Sequence, residues 1–501
     1  MNSVWIISII VAYFLLLVII ARLTAGSGSN DAFFVGERKS HWLLVSFGMI
    51  GASLSGVTFI SVPGWVGNAA NQFSYMQAVL GYLVGYVVVA LVLLPVYYRM
   101  NLVSIYQYLE DRFGFWSYKT GAAFFLLSRI IGASVRLLLV ANVLQSILFD
   151  QMGVPFELTV MISILLIWLY TNKGGIKTIV WTDTLQTTFM LLSLVLTFYF
   201  LKNAIPDTGK GVVSTIADSG YGRIFFFDDF MSSNHFLKHF FGGMFITIGM
   251  TGLDQDMMQK NLSCKNTRDA QKNMIVLGSV LLVVNLVFLG LGALLYLYAR
   301  QNAIEIAQSD LLFSTIAFDY AGPVIAILFL LGLIAAAYSS ADSALTSLTT
   351  SFSVDFLGVQ KNANAESVRK KVHIGMSAAL IFVVLLLKYF TSDSAIGLLM
   401  KFAGFTYGPL IGIFFFGILT KRKVSDIAVP VISVISILVT YAIWYFSAGA
   451  PGGTANSGIF GAYQFGFELI ILNALITFVL MLAGSTSQKT ESHEIIDSGR
   501  R

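Results

Sequence analysis

The chain has 501 residues, of which 56% are hydrophobic and 11% are charged, and its mean hydropathy is +0.79. Soluble chains carry about 25% charged residues, so a soluble fold is excluded and a protein that crosses the membrane several times is indicated. The net charge of +5 lies in short loops, without the basic, aromatic-rich patches that bind nucleic acid. Cys264 is the only cysteine, which excludes a disulfide within the chain, and the five histidines lack metal-ligand spacing.

Stretches of apolar residues recur along the whole chain. An α-helix needs about 20 residues to cross the hydrocarbon core of a bilayer, and on this basis the stretches predict thirteen helices. The first stretch, 4–21, lacks the basic residues and the cleavage site of a signal peptide, so we interpret it as a retained span. The predicted limits are 4–22, 43–69, 73–98, 118–149, 155–171, 180–202, 237–258, 273–300, 322–355, 371–390, 394–419, 427–447 and 463–484.

Basic residues are concentrated in alternate loops. If the N-terminus is outside, Arg99, Arg112 and Lys260 lie on the cytoplasmic side together with most other loop lysines and arginines. The positive-inside rule therefore predicts an outside N-terminus and a cytoplasmic C-terminus in the cell (inner) membrane. The polar tail from Ser485 onward is predicted to be disordered.

Two predicted helices have the composition of broken helices. In the second, residues 46–58 hold three glycines and four hydroxyl side chains, and in the seventh, several glycines between Gly242 and Gly252 precede Asp254. Unwound backbone in such helices can offer carbonyl oxygens to a cation. The alternative is that the glycines only allow close packing of helices.

Each of these broken helices opens a block of five helices. The blocks 43–202 and 237–419 are therefore predicted to be inverted repeats, a five-plus-five arrangement. Residues 1–42 form the first helix and an inner loop, residues 427–484 form two additional helices, and residues 485–501 form the cytoplasmic tail.

One face of the ninth predicted helix carries polar oxygen atoms. Ser339, Asp342, Ser343 and Thr346 recur at i, i+3, i+4 and i+7. A carboxylate inside a membrane is costly and normally faces a partner or a watery cavity. Oxygen ligands without His or Cys suit a hard cation such as Na⁺. Serines and alanines also serve as packing residues between membrane helices, but Asp342 favours an ion path.

Five strings of the sequence resemble the sodium:solute symporter family, whose members share the LeuT-type fold. They are residues 53–63, 104–113, 174–183, 254–260 and 335–347, and their order and spacing match the family over about residues 1 to 485. The resemblance implies an all-α polytopic membrane protein with about thirteen transmembrane helices, broken helices and a five-plus-five inverted repeat.

The resemblance also implies a sodium site between the second and ninth helices, with Na⁺ as the coupling ion. Matched residue by residue, the backbone carbonyls come from Gly51, Leu54 and Ala336, and the side-chain oxygens come from Ser339 and Ser340. Five oxygen ligands are compatible with a hard monovalent cation.

Relatives that resemble sialic acid transporters bind a further sodium ion nearby. That second ion site maps onto Asp183, Ser339, Asp342 and Ser343, but the relatives carry a hydroxyl group where Asp342 stands. Asp342 can therefore strengthen a second sodium site or titrate as a proton carrier, and the sequence leaves both open. For Asp183, a salt bridge or a helix cap is the structural alternative.

For the solute, the resemblance points to Ser53, Ser55 and Thr58 on the broken second helix and to Phe73 and Gln77 on the next helix. Hydroxyl and amide groups in an apolar cleft would orient a polar solute, with an aromatic ring covering it. For Phe73, simple packing is the alternative.

Two positions in the seventh helix depart from the sugar-carrying relatives. Thr247 and Met250 stand where those relatives have an amide and an aromatic side chain. This departure argues against a simple sugar as the solute.

Two arginines lie seven residues apart on the fourth predicted helix. Sialic acid transporters hold the substrate carboxylate with an arginine in this helix, and the match falls on Gly132, between Arg129 and Arg136. Either arginine can reach the solute, pair with a carboxylate or extend to the membrane surface, and we predict Arg129 as the contact.

The sequence is thus predicted to encode a sodium-coupled symporter that imports a small polar solute (a sugar, sialic acid or other carboxylate-bearing solute) by alternating access. The alternatives are a proton-coupled symporter or uniporter of the same fold, or an integral-membrane enzyme. An enzyme is disfavoured because no set of catalytic side chains shares one depth; Asp254 and Asp256 are expected near an inner helix end. The predicted partners are the solute, sodium ions and the lipid bilayer, and the protein is expected to act as a monomer.

Overall fold

The computed structural model describes residues 3–24, 30–205, 211–359, 364–390, 395–447 and 460–486. These ranges are almost entirely helical, and ten of their helices are long and apolar enough to cross a membrane. The ten are Trp5–Thr24, Trp42–Trp65, Tyr75–Arg99, Phe115–Met152, Gly175–Ala204, Thr267–Gln301, Pro323–Phe356, Ala365–Tyr389, Leu399–Leu419 and Ala428–Tyr445. The prediction of an all-α polytopic membrane protein is confirmed.

Three further segments complete the predicted set of spans. Phe156–Asn172 and Leu469–Ala483 are shorter apolar helices, and Phe236–Thr247 continues into a wider helical turn, Ile248–Gly252. We number the thirteen spans in chain order, so that these three are the fifth, thirteenth and seventh. The fifth and sixth form one helix, Phe156–Ala204, which is interrupted at Gly175, where φ is 51°.

Short elements connect the spans. They are the helices Asn30–Val35, Gln107–Arg112, Gly211–Asp218, Gln255–Leu262 and Leu312–Thr315, the single turns Gly36–Arg38 and Ser309–Leu311, and the wider turn Ile316–Tyr320. Two strands, β1 (Lys423–Val424) and β2 (Ser485–Thr486), pair antiparallel.

The strand β2 differs from the sequence-based expectation. The tail was predicted to be disordered from Ser485 onward, but its first two residues pair with the loop after the eleventh span because the backbone groups of that loop are available to them. Residues 487–501, the rest of the predicted tail, lie outside the described residues.

The spans differ in how deeply they are buried. In the second and ninth spans 78% of the most apolar window is buried inside the protein, against 28% in the first and 22% in the twelfth. The second and ninth spans therefore form the centre of the molecule, and the first and twelfth present most of their apolar surface outward, where lipid is the matching solvent.

The division into repeats 43–202 and 237–419 stays a prediction. The structure shows that the second span, which opens the first block, departs from regular helix at Ser55, and that the seventh span, which opens the second block, ends in the wider turn Ile248–Gly252. The sites described next are built around these two departures.

Candidate functional site

The second span is broken at Ser55, as the sequence predicts. Ser55 has φ 41° and ψ 170°, far from helical values, and a non-glycine residue held in such a conformation costs on the order of 1–3 kcal/mol. A break leaves carbonyl oxygens of the preceding turn without helical donors, and that turn contains Gly51 and Leu54. The Gly51 N–H itself donates to Thr187 Oγ1 of the sixth span at 3.0 Å.

The broken segment packs directly against the ninth span. A Cβ atom added to Gly56 would lie 3.9 Å from the Ala337 Cα and 2.8 Å from Val140 Cγ2. A Cβ atom on Gly332 would lie 2.7 Å from the Phe59 ring. The two helices therefore approach closely on both sides of this contact because glycines stand there.

The five residues predicted to bind sodium lie on these two contacting helices, and all are buried. Ser340 Oγ donates to the Ala336 carbonyl at 3.3 Å, and Ser339 Oγ donates to Asp183 Oδ1 at 2.7 Å. A buried set of carbonyl and hydroxyl oxygens beside a helix break has the chemistry that Na⁺ prefers. The assignment of these residues as ligands remains a prediction.

Asp183 of the predicted second ion site forms a buried ion pair. Lys260 Nζ lies 2.8 Å from Asp183 Oδ2, and the two side chains are 1% and 0% exposed. The salt bridge considered as the structural alternative for Asp183 is therefore present. Lys260 was counted among the cytoplasmic loop charges, but it lies buried on the helix Gln255–Leu262; the side of the membrane on which it lies stays a prediction.

Asp342 lies in the same cluster and keeps one oxygen free. Tyr170 Oη donates to Asp342 Oδ2 at 2.9 Å. Asp342 Oδ1 and Thr346 Oγ1 have no hydrogen-bond partner among the residues that the structure describes, although both side chains are fully buried. Ser339 and Ser343 stand one turn apart on the same helix.

The seventh span ends at Gly252 and restarts at Gln255. Between them Asp254 is extended, with φ −106° and ψ 121°, and its Oδ1 accepts the N–H groups of Asp256 and Met257 at 2.9 and 3.3 Å. The aspartate thus caps the new helix Gln255–Leu262. The predicted break in the seventh span is confirmed.

Arg129 is held by the acids at this break. Its Nη1 lies 3.7 Å from Asp254 Oδ2, and its Nη2 contacts Asp256 Oδ2. Tyr407 Oη donates to Asp254 Oδ2. The two aspartates were expected near an inner helix end; they do lie where one helical segment ends and the next begins, and the side of the membrane on which they lie stays a prediction.

A cavity of about 100 Å³ opens between the two helix breaks. The predicted solute contacts Ser53, Ser55 and Thr58 line it, as do Thr247 and Met250 of the seventh span and both arginines of the fourth. Arg129 and Arg136 are 4% and 7% exposed. The Arg136 guanidinium has no ion pair or hydrogen bond within the described part of the chain.

Phe73 and Gln77 do not line this cavity. Gln77 Nε2 donates to the Asn234 carbonyl at 3.0 Å, and Gln77 Oε1 accepts the Phe226 N–H at 3.1 Å. Phe73 is 5% exposed, and its N–H donates to the Arg223 carbonyl at 3.0 Å. Both residues fix the loop between the sixth and seventh spans, and their contact with a solute stays a prediction.

Sequence reasoning missed several residues of these sites. Tyr75, Tyr82 and Tyr86 line the cavity from the third span, and Lys260 pairs with Asp183. Tyr170 and Tyr407, which donate to Asp342 and Asp254, were missed as well. The tyrosines of the third span recur at i, i+7 and i+11, which is the spacing of one helix face, so this signal was present. Lys260 ends the string 254–260 that resembles the family, but its partner could not be predicted, because the pairing joins residues 77 positions apart in the chain.

Comparisons with known proteins match these features. The sequence model of the sodium:solute symporter family matches residues 33–430. The chain is 25% identical to the sodium/sialic acid symporter NanT of Aliivibrio fischeri, over 84% of this chain and 83% of that protein. It is 24% identical to the sodium/sialic acid symporter SiaT of Proteus mirabilis, over 82% and 84%.

A third relative and one solved structure complete the comparison. The sodium-coupled monocarboxylate transporter 1 of Mus musculus is 25% identical, over 79% of this chain and 65% of that protein. A Na⁺-coupled sialic acid symporter, solved in a substrate-bound outward-open state, superposes with a TM-score of 0.80 at 19% identity, over 96% of this chain and 98% of that one. This likeness shows the fold.

The family match and the set of membrane-spanning helices define a multi-pass, ion-coupled membrane transporter. The chain belongs to the sodium:solute symporter family. It is a transporter and not an enzyme, and its coupling ion is Na⁺.

Proposed function

We propose that the chain imports a small organic anion with a carboxylate group, together with Na⁺, by alternating access. The observation that carries this proposal is the Arg136 guanidinium, which lines the cavity at 7% exposure without an acidic partner among the described residues. A buried cation without a partner is costly, and a solute carboxylate would supply the missing charge through paired hydrogen bonds.

The neighbouring arginine supports the choice of Arg136 over Arg129. Arg129 is already balanced by Asp254 and Asp256, so its charge is less available to a solute. We therefore assign the solute contact to Arg136, with Arg129 as the residue that shapes the cavity wall. Ser55 and Thr58 would orient polar groups of the solute from the break in the second span.

The names of the relatives agree with an anionic solute. They are transporters of sialic acid and of monocarboxylates. We extend this class to the present chain because its cavity exposes guanidinium groups, while the carboxylates that balance Arg129 lie outside the cavity lining.

For the ion, we propose that Gly51, Leu54, Ala336, Ser339 and Ser340 bind one sodium ion. The support is their burial on two helices that contact each other at the Ser55 break. An ion at this position would join the second and ninth spans, which is how sodium binding could favour the conformation that accepts the solute.

We also propose an outside N-terminus, a cytoplasmic C-terminus, a location in the cell (inner) membrane and function as a monomer within the lipid bilayer. The loop charges support the orientation.

The test is a solute screen on purified protein in proteoliposomes. Sialic acid, lactate, a neutral sugar, amino acids and vitamins are compared by thermal stabilisation with NaCl or choline chloride, followed by sodium-driven uptake and counterflow. We expect a carboxylate-bearing solute and sodium to stabilise the protein cooperatively, because coupling between two sites is reciprocal. A neutral sugar as the best solute, or uptake that persists in choline, would contradict the proposal.

A further inference from the structure

We propose that the Lys260 ammonium takes the place of a second sodium ion, so that this transporter couples one Na⁺ to each solute molecule. The proposal concerns the predicted second ion site, Asp183, Ser339, Asp342 and Ser343. It rests on sodium coupling and is independent of the charge of the solute.

Both oxygens of Asp183 already have partners. Oδ2 lies 2.8 Å from Lys260 Nζ. Oδ1 accepts Ser339 Oγ at 2.7 Å and, with the amide turned toward it, the Gln186 nitrogen at 3.3 Å. A sodium ion ligated by Asp183 would therefore have to share the carboxylate with a fixed ammonium group, and two like charges at such close range repel strongly in a buried site.

The charges of the cluster support a single mobile ion. Asp183 and Asp342 carry two carboxylates, and Lys260 supplies one positive charge. When both carboxyl groups are ionised, one negative charge remains, and it is enough to attract one Na⁺ to the adjoining site, which shares Ser339. A second free cation would leave the buried cluster with an excess positive charge.

The break in the seventh span brings the lysine to this position. The helix Gln255–Leu262 restarts after Asp254, and all of its residues are buried. Lys260 lies on the second turn of that helix and is 1% exposed. An ammonium group is a compact point charge with three donors, so it can replace a small ion among oxygen atoms.

The first test uses sodium alone, without a solute. Thermal unfolding is followed while NaCl replaces choline chloride at constant ionic strength. Above the dissociation constant, each bound ion adds the same increment of stability per decade of sodium concentration. We expect a one-ion slope for the wild type and about twice that slope for Lys260→Gln, whose Asp183 is free to bind a second ion.

Two control variants test whether the change in slope depends on the positive charge at position 260. Lys260→Arg keeps the positive charge and is expected to keep the one-ion slope. Lys265→Gln removes an exposed charge just after the same helix and is also expected to keep it. A two-ion slope for the wild type or for Lys260→Arg, or a one-ion slope for folded Lys260→Gln, would overturn the proposal.

The second test needs no variant. In proteoliposomes clamped at zero membrane potential, an approximately tenfold sodium gradient drives about tenfold solute accumulation with one coupled ion and about a hundredfold accumulation with two, because the gradients multiply. We expect the smaller value with the solute that the screen identifies. The larger value overturns the proposal even if Lys260→Gln fails to fold, and it leaves the assignment of an anionic solute untouched.

Discussion

The helix Gln255–Leu262 lies between two buried charge clusters, one with a cation and the other with a carboxylate that has no ion-pair partner among the described residues. At its start, Asp254 and Asp256 hold Arg129 beside the cavity, and Arg136 stands nearby without an acidic partner among the described residues. At its other end, Lys260 pairs with Asp183 and leaves Asp342 in excess. We call these the solute cluster and the ion cluster.

The difference between the clusters explains how one molecule can bind two oppositely charged partners. In the solute cluster the guanidinium groups line the cavity and the carboxylates lie behind them. In the ion cluster the Lys260 ammonium is already paired with Asp183. Asp342 Oδ1 has no hydrogen-bond partner among the described residues. Because residues of one short helix belong to both clusters, a shift of that helix would change the ion pairs at both sites.

The largest expected effect is on stability. Arg129→Gln leaves Asp254 and Asp256 as buried carboxylates without a counter-charge, and breaking a buried pair in this way costs about 3–5 kcal/mol. We expect a strong fall in the yield of folded protein and in its melting temperature, measured on detergent-purified protein.

The matched control for this variant is Arg136→Gln, on the same helix. It removes a guanidinium that has no acidic partner in the described part of the chain, so the protein should keep most of its stability. Equal destabilisation by the two variants would show that the clusters do not differ as described.

The second effect is on solute affinity. Arg136→Gln removes charged hydrogen bonds to a solute carboxylate worth about 1.5–3 kcal/mol, or roughly 10- to 100-fold in affinity. The comparison is made between the acid and its neutral amide, by counterflow or thermal stabilisation. If the acid and the amide weaken equally, Arg136 does not bind the carboxylate.

The sequence was sufficient for the scaffold because its signals are local. Apolar stretches predicted the spans, glycine-rich segments predicted the breaks near Ser55 and Asp254, and the spacing of Ser339 and Asp342 predicted one polar face. Each of these signals lies within a single stretch of about 20 residues, so no knowledge of the packing was needed.

The pairing of charges could not be predicted in the same way. Asp256 follows Arg129 by more than a hundred residues, and Lys260 pairs with Asp183 although the whole seventh span stands between them in the chain. Which charged residues pair depends on the arrangement of the helices and on the high free-energy cost of leaving a buried charge unpaired. The sequence therefore indicated Arg129, Arg136, Asp183 and Asp342 as candidate site residues, but it did not indicate that Lys260 joins them or which of these charges remains available.

A third effect concerns the sodium site beside the ion cluster. Ser340→Ala removes one predicted ligand, and losing about 1 kcal/mol of interaction would raise the sodium concentration for half-maximal uptake roughly fivefold. Ser347→Ala is the matched control, because Ser347 is also buried and its Oγ donates to the Ala344 carbonyl at 3.0 Å. A similar rise in both variants would remove Ser340 from the site.

The smallest expected effect is on thiol labelling, and it tests whether the helix Gln255–Leu262 links the two clusters. Cys264 follows this helix, is fully buried, and burial raises the pKa of its thiol to about 12. Since the thiolate is the reactive form, we expect slow reaction of the native protein with maleimide near neutral pH.

Lys260→Gln should speed this labelling. Loss of the ion pair with Asp183 loosens the helix that precedes Cys264, and each loss of about 1.4 kcal/mol of local stability raises the open fraction tenfold. Lys265→Gln, at an exposed position beside the cysteine, should leave the rate unchanged. Rates that are equal in the wild type and in Lys260→Gln would mean that the helix is held by its apolar packing and that the two clusters are not coupled through it.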